Sequence, residues 1–126
     1  MSTATAEQID IARADWPEPV EIAAERVIAG TPVASTLVLE DGASYQLGLW
    51  RVTSGEFHTD HAGYLEYIHI VTGSGQLVDQ AGAVTELSPG KTVLMQPGWK
   101  GRWVVKETIT KVYTIINAPQ QNDPPS

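Results

Sequence analysis

Short runs of alternating hydrophobic and polar positions fill the chain from Val20 onward, and a turn signal ends each run. The first two clear runs, residues 34–40 and 44–52, flank Asp41-Gly42, a dipeptide typical of a two-residue β-hairpin. Many short β-branched and aromatic runs separated by turns are typical of an all-β sandwich or barrel. The pattern therefore predicts an all-β fold that contains an antiparallel hairpin.

Further strands are predicted along the second half of the chain. They cover residues 65–72, 76–79, 83–87, 92–96, 102–106 and 108–117. Gly73-Ser74-Gly75 is predicted to turn the chain back between the first two of these runs. Because tight turns join antiparallel neighbours, we expect the consecutive strands to pair in that way.

The chain is predicted to be one domain with two short extensions. Residues 1–19 form a lead-in, in which residues 5–14 suit a short helix that Trp16-Pro17 ends. Residues 20–117 form the barrel, which at this length buries roughly two thirds of its unfolded surface. Residues 118–126 contain three prolines without apolar periodicity, which indicates a flexible tail.

Charge and composition exclude several classes of partner. With 15 acidic against 8 basic residues and a net charge of -7, the chain has no basic stripe for phosphates, so nucleic acid is not the expected partner. No apolar run approaches the roughly 20 residues that span a bilayer. The first residues lack the basic and apolar regions of a secretory signal. We therefore expect a cytoplasmic protein that has no membrane partner.

Two stretches carry the residues that resemble a known family. In residues 55–75, Glu66 is followed seven positions later by Gly73, and the later string contains Gly101, Trp103, Val105, Glu107, Lys111 and Tyr113. These motifs resemble the cupin family, and the later string is similar to small single-domain cupins related to ureidoglycine aminohydrolase and to the ethanolamine-utilisation cupin. The resemblance implies a double-stranded β-helix barrel of jelly-roll type, with a small-molecule pocket in its open end.

The metal site that the resemblance implies is incomplete in this sequence. Counting from Glu66, the two histidine positions of its first motif fall on Thr59 and His61, and the third histidine position falls on Gly101. A divalent Mn, Fe, Ni or Zn ion generally needs three protein ligands. His58 supplies a third ligand only if a bulge turns it to the side of His61. The residues favour a site without a metal over a site with one.

Glu66 also suits a pocket that holds no metal. The resemblance makes Lys111 its partner, and Tyr113 shares the parity of Lys111 on the closing strand. A carboxylate, an ammonium and a phenol together form a catalytic acid/base set, and the alternative is an ion pair with a structural role only. Trp103 has the same parity, and we predict that Trp103 and Glu107 contact the substrate.

Two functions remain open from the sequence. The first is a small cupin that binds a polar metabolite bearing a carboxylate or amide, with hydrolase or isomerase-type activity. The second is a non-catalytic ligand-binding or accessory cupin with a degenerate metal site. Residues 65–72 have two apolar faces, so we expect a homodimer in which one face meets a second subunit. His69 has the parity opposite to Glu66 and is predicted to point out of the barrel.

Overall fold

The structure is a computed structural model that describes residues 3–118. Within that range the regular structure is β apart from two turns of 3-10 helix, Ile11–Arg13 and Ala24–Arg26. The strands are Val20–Glu21 (β1), Val27–Ala29 (β2), Val33–Asp41 (β3), Tyr45–Val52 (β4), Gly55–Asp60 (β5), Tyr64–Asp79 (β6), Val84–Leu87 (β7), Thr92–Met95 (β8) and Lys100–Asn117 (β9). The all-β prediction is confirmed, whereas residues 5–14 form a single 3-10 turn instead of the predicted helix.

Two long strands, β6 and β9, run through both halves of the curled sheet. Where Ile68 lies opposite Tyr113, they form the centre of a first half with the order β1-β3-β4-β9-β6-β8. Where Leu77 lies opposite Trp103, they form the centre of a second half with the order β2-β5-β9-β6-β7. All pairs are antiparallel, and the two halves form the jelly-roll barrel predicted above.

The predicted turn at Gly73-Ser74-Gly75 is wrong, because these residues bend a continuous strand. Residues 65–72 and 76–79 both belong to β6, and the runs predicted at 102–106 and 108–117 both belong to β9. The register between the two strands shifts three times between Ile70 and Gly75, as β-bulges produce. Gly73 has a φ of 94°, and an added Cβ would overlap the carbonyl oxygen of Thr108. The bulges redirect the chain into the second half without reversing it.

The predicted hairpin of β3 and β4 is confirmed, but its loop covers residues 42–44 instead of the two residues Asp41-Gly42, because Asp41 still pairs with Gln46 in the sheet. The amide of Gly42 donates to the carbonyl of Tyr45, and the two strands pair along most of their length with one register shift between Val38 and Glu40. The strands lie between Val20 and Asn117. Of the predicted flexible tail, residues 119–126 lie outside the described residues.

The core lies between the two halves of the sheet. Because side chains alternate along a strand, one face of each strand supplies it. Its buried members are Val52, Phe57, Ile68, Ile70, Leu77, Leu87, Met95, Trp103, Val105, Ile109 and Tyr113. Phe57 stacks on Trp103 with an interplanar angle of 7°. No helix in residues 3–118 has the length and hydropathy that a membrane span requires.

Candidate functional site

A cavity of about 260 Å³ opens inside the barrel, bordered by the aromatic part of the core. Five of the predicted site residues line it: His61, Glu66, Trp103, Lys111 and Tyr113. They come from β6, from β9 and from the segment that follows β5. Neighbouring strands thus bring together residues that are up to 52 positions apart in the sequence, as between His61 and Tyr113.

An ion pair between Lys111 and Glu66 is the central feature of the cavity. The ammonium Nζ donates to carboxylate Oε2 at 2.8 Å, and the two side chains are only 6% and 7% exposed. A bare carboxylate in such a place would cost several kcal/mol, and the ammonium offsets that cost. The pairing that the resemblance implied is confirmed.

Aromatic rings surround the ammonium group of Lys111. Its Nζ lies 4.4 Å from the ring centroid of Trp50, 4.7 Å from that of Trp103 and 6.0 Å from that of Tyr113. Such faces attract a cation, most strongly where water is excluded. Burial lowers the pKa of Lys111, and the adjacent Glu66 carboxylate acts in the opposite direction. The ammonium is therefore fixed between a carboxylate and the faces of aromatic rings.

His61 occupies the other side of the same carboxylate. Its Nε2 lies 3.5 Å from Oε1 of Glu66, and its ring stacks on Tyr64 and contacts Trp99 at centroid distances of 4.8 and 5.5 Å. Burial lowers the pKa of His61 more than Glu66 raises it, so the imidazole is neutral at pH 7. Its buried Nδ1 has no hydrogen-bond partner in the described part of the chain.

The stability of the protein should fall in mild acid because of His61. The pKa of His61 is lower in the folded protein than in the unfolded chain, so the unfolded chain binds more protons as the pH falls below 6.5. The contribution of neutral His61 to the free energy of unfolding is therefore fully present above pH 6.5 and is lost as the pH falls. We expect the urea midpoint to rise between about pH 5 and pH 6.5, and this slope to flatten in His61→Gln. The exposed His69 provides the control, and loss of the slope in His69→Gln as well would contradict the assignment.

Tyr113 is positioned by a glycine on the neighbouring strand. Its hydroxyl donates to Oε1 of Gln46 at 2.7 Å. Gly48 lies opposite Tyr113, and an added Cβ there would come within 2.6 Å of the hydroxyl oxygen. Burial raises the pKa of Tyr113, so the phenol stays protonated at neutral pH. The site therefore contains a neutral phenol beside the ion pair.

Two predicted site residues do not reach the cavity. His58 lies on a regular part of β5 opposite Arg102 and is exposed, so no bulge turns it toward His61. Glu107 is also exposed, and its carboxylate accepts a hydrogen bond from Ser74 at 2.8 Å. His69 is exposed, in agreement with the prediction that it points out of the barrel.

His58 instead lines an open groove of about 650 Å³ outside the barrel. Two of its basic residues form partly exposed ion pairs: Lys100 lies 3.9 Å from Asp60, and Arg102 lies 3.2 Å from Glu56. Exposed pairs of this kind contribute little, since water screens them. The smaller inner cavity, with its buried and fixed charges, is the better candidate site.

The residues of the cavity do not fit a transition metal. In residues 3–118 no three His, Cys, Asp or Glu side chains form a cluster. The two positions where the resemblance implies histidines, Thr59 and Gly101, face each other across β5 and β9. The Trp99 ring fills the space beside Gly101, where an added Cβ would lie 2.7 Å from the ring. Glu66, which the resemblance makes a ligand, already bonds to Lys111.

Residues 39–113 match a family model described as the EutQ-like cupin domain. The chain belongs to the EutQ-like cupin family. The matched region includes His61, Glu66, Lys111 and Tyr113, and it confirms the resemblance to the ethanolamine-utilisation cupins. No curated protein matches the sequence of this EutQ-like cupin.

Several solved structures share the fold of this EutQ-like cupin. The Clostridium difficile EutQ protein is 18% identical, with a TM-score of 0.62 over 69% of this chain and 64% of that one. A Pseudomonas syringae protein of unknown function is 23% identical, with a TM-score of 0.71 over 82% and 45%. Ectoine synthase from P. lautus is 16% identical, with a TM-score of 0.60 over 79% and 74%. This cupin spans less than two thirds of the first two, and such identities show the fold alone.

Arg26 is a cavity residue of this EutQ-like cupin that sequence reasoning missed. It ends the 3-10 turn Ala24–Arg26, is half-buried, and donates from Nε to the carbonyl of His58 at 3.0 Å. Its guanidinium lies 5.6 Å from the ring centroid of Phe57. No carboxylate among residues 3–118 forms an ion pair with it. The sequence shows only a basic residue before a short apolar run, which does not reveal that this turn packs on β5.

Proposed function

We propose that this EutQ-like cupin binds a small carboxylate-bearing metabolite inside the barrel. The observation that carries the proposal is the charge of the cavity: Arg26 and Lys111 are cationic, whereas Glu66 is the one carboxylate among the described residues that line it. Because the His61 imidazole is neutral, one positive charge remains unbalanced, and an anionic ligand would neutralise it. The cavity has room for roughly nine water-sized groups, which sets the size of the ligand.

The positions of the cavity residues suggest how such a ligand would lie. Its carboxylate would meet Arg26, whose terminal nitrogens are available because only Nε is bonded to the His58 carbonyl. Its carbon skeleton would pack on Trp50, and a carbonyl or amide at its other end would reach Lys111 and Tyr113. This arrangement binds a short polar metabolite better than an apolar one.

Glu66, Lys111 and Tyr113 are the groups that would act on the bound ligand. The Lys111 ammonium would stabilise an oxyanion that develops on the ligand, since it is already fixed and desolvated. The Glu66 carboxylate would accept a proton, and the phenol of Tyr113 would orient the reacting group. Hydrolase and isomerase-type reactions both need these two steps, and neither step here uses a metal.

Arg26→Gln should weaken binding of the ligand about 10- to 100-fold, because a charged hydrogen bond of roughly 1.5–3 kcal/mol is lost. Calorimetric titration with small monocarboxylates, dicarboxylates and their amides would identify a ligand of the unaltered protein and then compare the variants. Arg13→Gln is the matched control, since Arg13 is exposed on the lead-in and pairs only with Asp10. Absence of any ligand in the screen, or equal losses in both variants, would refute the proposal.

A non-catalytic accessory dimer is the second candidate, and the outward face of the first half of the sheet favours it. Leu47, Thr114, Tyr67 and Leu94 lie in one row across β4, β9, β6 and β8. The three apolar members are 36%, 46% and 52% exposed. The row carries no charge from β4 to β8, and it ends at the exposed Glu40 of β3, which lies opposite Leu47. A second copy of the chain is the occupant that we propose for this face.

Tyr67→Glu should convert the proposed dimer into a monomer. A carboxylate in the row would be buried beside its symmetry mate, and like charges in a two-fold interface repel. Light scattering should give the unaltered protein about twice the 13.6 kDa of one chain, and the variant the mass of one chain. Val84→Glu alters an equally exposed apolar residue on β7, in the other half of the sheet, and should stay dimeric. A monomeric unaltered protein would refute the dimer.

A further inference from the structure

We propose that the Lys111 ammonium is the built-in cation of this site and that it occupies the place of a metal ion, so that the two exclude one another. The inference deepens the proposed function, because it names the positive charge that a ligand meets at the inner end of the cavity. Only the statement that a ligand meets this charge rests on the proposed function; the exclusion of a metal ion does not.

One oxygen of the Glu66 carboxylate is already bonded to a cation, and the other lies near His61. Oε2 accepts from Lys111 at 2.8 Å, and Oε1 lies 3.5 Å from Nε2 of His61. Glu66 and His61 are the two side chains that keep the ligand positions of the resemblance, so both would have to turn toward the same ion. The Lys111 ammonium is bonded to the same carboxylate that such an ion would need as a ligand. A divalent ion brought there would meet a fixed positive charge at short range, and like charges repel strongly where water is excluded.

The Lys111 side chain is confined at this position by its neighbours. Its side chain is 6% exposed, and its ammonium lies over the rings of Trp50 and Trp103 at 4.4 and 4.7 Å. A lysine that merely neutralised Glu66 from the surface could swing into water, since its stem has several rotatable bonds. Here the aromatic rings keep the charge in the cavity, as bound metal ions are kept by their ligands.

The two positions that lack the expected histidines, Thr59 and Gly101, are consistent with a lysine ammonium in the place of a metal ion. Thr59 lines the cavity beside His61, so a side chain at residue 59 reaches the same space. Gly101 lies directly opposite Thr59, and the Trp99 ring fills the space beside it. The chain therefore lacks two donors at one place and supplies a cation at the same place. Restoring a histidine at residue 59 and removing the charge of Lys111 should therefore create a metal site.

Zinc titration of four proteins tests the exchange: the unaltered chain, Lys111→Met, Thr59→His, and the double variant Thr59→His with Lys111→Met. The double variant would present His61, Glu66 and a new imidazole without the ammonium, which is a three-ligand set. We expect it to bind one equivalent of zinc at least about 100-fold more tightly than Thr59→His. The unaltered chain and Lys111→Met should show no stoichiometric zinc site.

Thermal unfolding provides a second readout of the same comparison. Lys111→Met leaves Glu66 without its cation, so its melting temperature should fall, and zinc should raise it only when Thr59→His is also present. If the methionine variants do not fold, Lys111→Gln in their place removes the charge and keeps a hydrogen-bond donor for Glu66. The same zinc dependence is expected for that pair.

Two results would overturn the inference. One is a double variant that binds zinc no more tightly than Thr59→His, and the other is a stoichiometric zinc site in the unaltered chain that His61→Ala removes. The zinc experiment contains no organic ligand. A failed carboxylate screen would therefore refute the proposed function and leave the cation exchange to be judged on its own data.

Discussion

Replacing Lys111 with methionine should lower the free energy of unfolding by about 3–5 kcal/mol. The substitution keeps an unbranched side chain of similar length, so the aromatic rings of Trp50 and Trp103 retain a neighbour. What it removes is the cation bonded to Glu66 at 2.8 Å. An unpaired buried carboxylate costs much more than a lost hydrogen bond between neutral groups. Urea unfolding monitored by tryptophan fluorescence would measure the loss.

The double variant Lys111→Met with Glu66→Gln separates charge from packing. It removes both members of the ion pair, and replacing a whole buried pair is often close to neutral, so most of the lost stability should return. Glu66→Gln alone should be less stable than the unaltered protein, because it leaves the Lys111 ammonium buried without a counter-ion. A double variant as unstable as Lys111→Met would mean that packing, and not an isolated charge, causes the loss.

Gly73→Ala should destabilise the protein by about 2–5 kcal/mol, which combines roughly 1–2 kcal/mol for the left-handed conformation with roughly 1–3 kcal/mol for overpacking. Its Cβ would overlap the Thr108 carbonyl oxygen and lie 2.6 Å from Cα of Ile109. Those atoms belong to the backbone of β9, which cannot rotate away as a side chain could. The free energy of unfolding from urea titration is again the measurement.

Gly82→Ala is the matched control for Gly73→Ala. Gly82 has a φ of 89°, close to the 94° of Gly73, but an added Cβ there meets no atom within 4 Å. It should therefore cost only the roughly 1–2 kcal/mol of the left-handed conformation. Equal losses in the two variants would show that backbone conformation alone, and not the approach of β9, makes glycine necessary at residue 73.

The elements that depend on local chemistry could be predicted from the sequence. Asp41-Gly42 marks where β3 turns back into β4, although the loop that forms covers residues 42–44, and the all-β class follows from many short runs of this kind. Gly73-Ser74-Gly75 has the same turn chemistry, yet it forms bulges in β6 because β9 lies beside it along its whole length. A glycine pair permits either outcome, and only the neighbouring strand decides between them.

The site residues could be predicted where the alternation of side chains along one strand decides which of them face the cavity. Trp103, Lys111 and Tyr113 have one parity and do line the cavity. Glu107 has the same parity in the sequence but is exposed, because it lies opposite Ser74 between two register shifts, and bulges interrupt the alternation of faces. Arg26 comes from a turn outside the strands, and parity says nothing about such residues. The prediction therefore failed where the barrel departs from a flat sheet.

The two strands shared by both halves of the sheet limit how a ligand can enter. β6 supplies Glu66 and β9 supplies Lys111, and each of these strands also runs through the opposite half. Parting the halves would break both strands at once, so the barrel cannot open as two shells around the cavity. The 3-10 turn Ala24–Arg26 is held differently: Arg26 bonds to a carbonyl of β5 and lies over the Phe57 ring, and the turn joins the sheet where Val27 pairs with Phe57. For the ligand proposed above, entry and exit would therefore pass the residue that we expect to bind its carboxylate, so a substitution of Arg26 would alter the rate of release and the affinity together.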